Sequence, residues 1–305
     1  MFGLSALTKS RSQPLLNRLS ISDTALKWIF LLPSVAILAF LSLYPFFRGI
    51  WMSLHSWPLA GREVEFVGMA NYGELLSSER FLNALWNTAV FTGVSVTIEI
   101  VLGIALAMYL FSLSQRWRPL FRTIFIIPMV VTPIATGLMW RLMLNSRIGV
   151  INYLLESVGI APPEWTSSPF MAMATVITID VWQWTPLVIM IVFAGLLSIP
   201  DTLYEAARVD GAPGWAIFRH ITLPGIKYMV AIAAVFRLMR SFRSFDIIWL
   251  VTQGGPGTAT EILNVYLYRV AFVFLKGGEA AALGLILLVI TIVTALLLFR
   301  SAGVD

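Results

Sequence analysis

The chain contains no cysteine and only two histidines, and charged residues make up only 12% of its 305 positions. Without cysteine there can be no disulfide bond, no thiolate nucleophile and no cysteine metal ligand. A soluble domain carries about 25% charged residues, so the shortage of charge excludes an ordinary soluble protein. Hydrophobic residues instead make up 58% of the chain, and its mean hydropathy is +0.84. This composition is typical of an integral membrane protein built from helices.

Signatures of catalytic chemistry are also missing. The chain has no G-x-x-x-x-G-K-[ST] phosphate loop, no H-E-x-x-H and no G-x-S-x-G, and His55 and His220 lie far apart. We therefore expect a non-catalytic chain without a cofactor or metal of its own. The net charge of +5 is assigned to basic loops that face a lipid surface, not to nucleic-acid binding.

Six segments are long and apolar enough to cross a bilayer, because a spanning helix needs about 20 mainly apolar residues. They are residues 28–54, 86–111, 120–143, 171–196, 228–251 and 279–300. The first is longer than the apolar part of a signal peptide, and no A-x-A cleavage site follows it. We predict an all-α domain of six transmembrane helices over residues 28–300, between an N-terminal segment 1–27 and a tail 301–305.

Basic residues in the loops predict the orientation of these helices, since lysine and arginine favour the cytoplasmic side. One side of the predicted bundle has eleven such residues and the other has at most seven. The richer side includes the N-terminal segment, the end of the chain and the loop between the fourth and fifth spans. Both termini and that loop are therefore predicted to be cytoplasmic.

The loop between the fourth and fifth spans, residues 198–227, is unusually polar for this chain. Its pattern predicts a helix that breaks at Asp210–Gly211, a second helix that opens at Pro213, and a stop at Pro224. An amphipathic loop lying on the membrane is the simpler alternative. That alternative does not explain the paired break or the small residues Ala206 and Ala207 on one helix face.

The same loop resembles the EAA loop in the permease subunits of ATP-binding-cassette (ABC) importers. That pattern is E-A-A, three residues, G, nine residues and I-x-L-P, and the chain matches it at Glu205-Ala206-Ala207, Gly211 and Ile221-x-Leu223-Pro224. The segments FVGMANYGELL, FRLMRSFRSFD and LVTQGGPGTATE are similar to the larger, maltose-permease-like type of carbohydrate importers. The glycine-rich TQGGPG stretch is either a flexible rim for a docking protein or a simple turn.

The resemblance implies a type I ABC importer permease fold in a bacterial inner membrane, crossed several times. It also implies a second related permease, two copies of an ATPase that binds ATP and magnesium, and an extracellular solute-binding protein. The ATPase would dock on a coupling surface formed by Glu205, Ala206, Ala207, Asp210, Gly211 and Ala212. The implied solute is a carbohydrate or polyol, neutral or anionic. An autonomous carrier or channel is the alternative, and a membrane-embedded enzyme is a less favoured one.

Ionisable residues inside spans are costly and are functional candidates by default. Glu99 and Asp180 are expected to bridge to arginines of other helices, Arg237 among them. Arg243 and Asp246 are three positions apart and are expected to pair on one helix face. These interpretations make most of the buried charge structural.

Arg240 differs because it lies outside the family pattern. It lies 12 residues beyond Tyr228, about 18 Å along a helix and near the middle of a core about 30 Å thick. We expect it to contact the solute across from Asp180 and Trp184, although a tryptophan in a membrane helix often serves packing alone. The complete set predicted to line the solute path is Asp180, Trp182, Trp184, Arg240, Arg243 and Asp246.

Overall fold

The computed structural model describes residues 23–57 and 63–301 of the chain. Residues 1–22 and 302–305 lie outside it, so the predicted positions of most of the N-terminal segment and of the tail stay predictions. The chain divides into two units, residues 1–51 and 52–305. The described part of the first unit is a single apolar helix, and the second unit contains all the other elements.

The helices in chain order are α1 (Asp23–Ser53), α2 (Ala70–Ser77), α3 (Glu79–Ser112), α4 (Arg118–Val130), α5 (Pro133–Met143), α6 (Val150–Ser157), α7 (Pro169–Leu197), α8 (Asp201–Val209), α9 (Gly214–Ile217), α10 (Leu223–Ser241), α11 (Asp246–Val251), α12 (Leu263–Tyr268) and α13 (Gly277–Ser301). Two short strands, β1 (His55–Ser56) and β2 (Glu65–Phe66), pair antiparallel. Within the described residues, five helices are long and apolar enough to cross a membrane, and a bent pair supplies a sixth candidate. This confirms the all-α membrane fold.

The third predicted span, residues 120–143, is a broken segment and not one helix. Its two halves, α4 and α5, meet at an angle of 91°. The break has a local cause, because Thr132 precedes Pro133 and a residue before proline is forced out of the α conformation. The Thr132 side chain accepts a hydrogen bond from the Ala135 amide and so caps the second half.

The fifth predicted span begins earlier and ends earlier than expected. It runs as one helix from Gly214 to Ser241, and Pro224 does not stop it. A π-helical turn at Phe218–Thr222 precedes the proline, and the Leu223 amide bonds to the Phe218 carbonyl five residues back. This widened turn accommodates the proline ring, which would clash in regular α geometry.

Helix α7 forms the centre of the second unit, since it is the most buried of the spanning helices. Helices α3 and α10 pack against it. Gly103 of α3 lies directly on Val188 of α7, and Gly195 of α7 lies on Met229 of α10. These small residues allow the close helix approach that is typical of packing inside membranes.

The glycine-rich loop that follows α11 is anchored to α3 by side-chain hydrogen bonds. Arg80 donates two hydrogen bonds to the buried carboxylate of Glu261, at 2.9 and 2.8 Å. Asn87 donates to the Thr258 carbonyl at 2.8 Å. The Arg269 guanidinium adds a bond of 2.7 Å to the Gln253 carbonyl. Both ends of the loop are therefore tied to neighbouring helices.

Candidate functional site

A cavity of about 570 Å³ opens among α5, α7, α10 and α11. Its apolar wall includes Leu187 and Phe236, and its charged and aromatic lining comprises Asp180, Trp184, Arg240, Arg243, Phe245 and Asp246. The structure therefore brings together five of the six residues predicted to line a solute path. Phe245 was not predicted to line a solute path. It lies in the break between α10 and α11, and this stretch was predicted from the sequence as one continuous helix.

Trp182 is the predicted residue that does not line this cavity. Its ring packs edge-on against Trp140, with 5.7 Å between ring centroids. Two positions along an α-helix correspond to about 200° of rotation, so Trp182 and Trp184 must point to different sides of α7. Trp182 thus packs on the bent pair, and a direct part in a solute path is not supported by its position.

Asp180 connects the cavity to a buried charge cluster behind it. Its carboxylate accepts a hydrogen bond of 2.8 Å from Arg237. Arg237 also binds both carboxylate oxygens of Glu99, with 2.7 Å between Nη2 and Oε1. All three side chains are essentially inaccessible. The expectation that Glu99 and Asp180 bridge helices through Arg237 is confirmed.

Arg240 lies over the ring of Trp184, with its guanidinium carbon 3.5 Å from the ring centroid. This is a cation–π contact at close range. Among the described residues Arg240 makes no ion pair, and its side chain is exposed. Trp184 thus supports a guanidinium in the cavity, and that guanidinium covers the ring.

Arg243 and Asp246 do not form the ion pair that their spacing predicted. In the described part of the chain, no salt bridge includes either residue. The reason is that α10 ends at Ser241 and α11 begins at Asp246. Arg243 lies within the break and Asp246 is the first residue of α11, so the two are not one turn apart on a continuous helix. Both side chains nevertheless line the cavity.

The polar loop is a helix, a tight turn and a second helix, as the sequence predicted. Gly211 has φ of +68°, and the Ala212 amide bonds to the Ala207 carbonyl at 2.9 Å. This is a Schellman turn, in which a glycine ends the helix in the left-handed conformation. The buried Tyr204 hydroxyl lies 3.3 Å from the Thr222 hydroxyl and ties the first helix to the second.

The loop's outer surface is accessible. Glu205, Ala206, Asp210 and Gly211 are exposed, and Ala207 and Ala212 are half-buried. Exposed apolar residues lie among them, including Val209 and Trp215, which are 88% and 68% exposed. Each of the six predicted coupling residues is thus at least partly exposed, in a loop that also carries uncovered hydrophobic side chains.

A family model described as "Binding-protein-dependent transport system inner membrane component" matches residues 99–302. The chain belongs to this family. The permease is 38% identical over 282 residues to "Probable ABC transporter permease protein y4oQ" of Sinorhizobium fredii, with 90% of this chain and 91% of that protein covered. It is 34% identical to "Trehalose/maltose transport system permease protein MalF" of Thermococcus litoralis, over 84% of this chain and 86% of that one.

A solved structure agrees with this assignment. The permease superposes with a TM-score of 0.79 and 25% identity on a chain of a bacterial ABC transporter involved in the import of the acidic polysaccharide alginate. The match covers 91% of this chain and 95% of that chain. The type I ABC importer permease fold is thus confirmed, as is a non-catalytic subunit that works with a solute-binding protein and an ATPase. An autonomous carrier and a membrane enzyme are set aside.

Proposed function

We propose that this permease translocates a carbohydrate or polyol-type solute across a bacterial inner membrane, through the cavity among α5, α7, α10 and α11. The cavity's lining carries the proposal. Hydrogen-bonding charged groups and aromatic rings together suit a solute with many hydroxyls and an apolar ring face. Its volume lies within the range of about 300–1,000 Å³ that is usual for small-molecule sites. The names of the trehalose/maltose and alginate relatives support the same solute class.

The energy for transport comes, in this proposal, from a separate ATPase that docks on residues 198–227. Three observations support this: the match to the EAA pattern, the exposure of Glu205 and the exposed apolar side chains of Val209 and Trp215. Glu205 is proposed to contact a basic residue of the ATPase. In the same proposal, ATP and magnesium bind to that partner and not to this chain.

One coupling surface per chain also implies a partner beside it. An ATPase dimer offers two docking clefts, and the coupling loop of one permease fills one of them. We therefore propose a second, related permease whose coupling loop fills the other cleft. Affinity purification of this chain from the cells that produce it tests the composition. The expected complex contains this permease, one different permease and two ATPase copies. A stable homodimer that transports solute would contradict the heterodimer.

The solute class is tested with the cognate solute-binding protein and the assembled importer. Thermal-shift screening against sugars and polyols selects a ligand, and uptake of that ligand is then measured in proteoliposomes that contain the complete importer and ATP. We expect a saccharide or polyol to stabilise the binding protein and to be taken up. Selective stabilisation by amino acids or peptides instead, with their uptake, would overturn the carbohydrate assignment.

A further inference from the structure

The charges that a solute could reach in the cavity are not balanced. Arg240 and Arg243 are exposed, and neither forms a salt bridge with another described residue. Asp180, in contrast, is 1% exposed and already bound to Arg237. Asp246 is half-buried and is, among the described residues that line the cavity, the one carboxylate that remains partly accessible. The accessible lining therefore presents two guanidinium groups against one partly covered carboxylate.

Trp184 determines how one of these guanidiniums is presented. Because the central carbon of the Arg240 guanidinium lies over the Trp184 ring, 3.5 Å from its centroid, the indole covers one side of the guanidinium. A guanidinium donates hydrogen bonds from its edges and not from its faces. Stacking on the ring thus leaves the N–H edges free and limits the rotamers that Arg240 can adopt.

The same contact limits how Trp184 can meet a solute. A sugar ring cannot stack on the face that Arg240 occupies unless the arginine moves away. Trp184 is therefore a positioning residue for Arg240.

We propose that the solute carries an oxyanion, a carboxylate, sulfonate or phosphate on a carbohydrate or polyol. This anion binds the edge of Arg240, and Arg243 provides a second cation. Charge-assisted pairing of a guanidinium with an oxyanion is strong and can be bidentate. The inference rests on the proposed function and narrows it to acidic solutes.

The experiment uses the complete importer in proteoliposomes and matched pairs of solutes: glucuronate with glucose, galacturonate with galactose, and glycerol 3-phosphate with glycerol. The pair that stabilises the cognate binding protein is used for uptake. We compare the wild type with Arg240→Gln, Arg240→Lys, Trp184→Phe and Trp184→Leu. Arg147→Gln is the control, since Arg147 is also exposed but lies outside the cavity.

The acidic member is expected to be taken up in preference to its neutral counterpart. Arg240→Gln should raise the apparent KM for the acidic solute about tenfold or more, the loss expected for one charge-assisted bond. Arg240→Lys should retain part of the effect because it keeps the charge but loses the planar fork. Trp184→Phe should retain most uptake, Trp184→Leu should resemble Arg240→Gln, and the control should match the wild type.

Two results separate the inference from the proposed function. Uptake of the neutral member alone, or an unchanged KM for the acidic member in Arg240→Gln, overturns the oxyanion site and leaves the carbohydrate importer standing. Failure of every pair, with uptake of an amino acid instead, overturns both. A purely structural part for Trp184 would reduce uptake of acidic and neutral solutes equally, and that result also counts against the proposal.

Discussion

Arg237 and Glu99 form a two-point ion pair inside the helical bundle although 138 positions separate them in the sequence. Asp180 completes the cluster, so one guanidinium joins carboxylates from α3 and α7 to α10. Breaking a buried pair is expensive because it leaves an uncompensated charge. The cluster therefore links α3 to α7 and α10, the latter two of which line the cavity.

The first prediction is that Arg237→Ala lowers the stability of the folded permease by about 3–5 kcal/mol. Two carboxylates would then remain buried without a cation. Glu99→Gln should cost less, since Arg237 keeps Asp180. Thermal unfolding of the purified complex in detergent measures the effect, and Arg147→Ala is the exposed control. Equal melting temperatures for Arg237→Ala and the control would show that the cluster does not hold the helices.

The second prediction concerns the turn that shapes the coupling surface. Gly211 has φ of +68°, where a side chain other than asparagine costs about 1–2 kcal/mol. Gly211→Leu should weaken ATPase binding and reduce uptake per ATP hydrolysed, whereas Gly211→Asn should be tolerated. A Cβ at this position meets nothing within 4 Å, so the backbone conformation, and not a clash of the Cβ, is expected to separate the two variants. Equal coupling in both variants would exclude the left-handed turn as the cause.

Glu205 offers an independent test of the same surface. It is exposed, so Glu205→Ala should leave the permease folded and membrane-inserted while loosening the ATPase. The yield of ATPase that co-purifies with the variant measures this. Normal transport by both Glu205→Ala and Gly211→Leu would contradict docking on residues 198–227.

The third prediction compares two glycines of α3. A Cβ on Gly103 would lie 2.7 Å from the Cβ of Val188, whereas a Cβ on Gly93 meets nothing within 4 Å. Gly103→Ala should therefore cost about 1–3 kcal/mol through overpacking. Gly93→Ala should be neutral or stabilise the helix by up to about 1 kcal/mol. The double variant Gly103→Ala with Val188→Ala should recover part of the loss in melting temperature.

The fourth prediction concerns the orientation of the chain. Because the protein has no cysteine, single cysteines report sidedness without background. Arg208→Cys should react with an impermeant maleimide only from the cytoplasmic side, and Glu164→Cys only from the outside. Both positions are exposed. The reverse labelling pattern would overturn the prediction that both termini and the coupling loop are cytoplasmic.

Local signals explain why much of this fold could be predicted. Spanning helices are recognised from length and hydropathy alone, and the turn at Gly211 follows from a glycine after an amphipathic helix. The same rules failed at two breaks. Thr132–Pro133 bends the third span, and the chain leaves the helix after Ser241. A hydropathy profile does not reveal a bend when the residues on both sides of it are mainly apolar, as they are in the third and fifth predicted spans.

The sequence by itself determined the membrane class, the family through the EAA spacing, and the presence of charge inside the spans. Only the tertiary structure decided which charges pair. Arg237 pairs with both Glu99 and Asp180. Arg243 and Asp246 are separated by the end of one helix and the start of the next, and Arg240 packs on the ring of Trp184. The physical reason is that pairing inside a bundle depends on helix rotation and on where each helix ends. The rotation of each helix and the position of its end result from the packing of α3, α7 and α10. Neither can be calculated from the spacing of residues along the sequence.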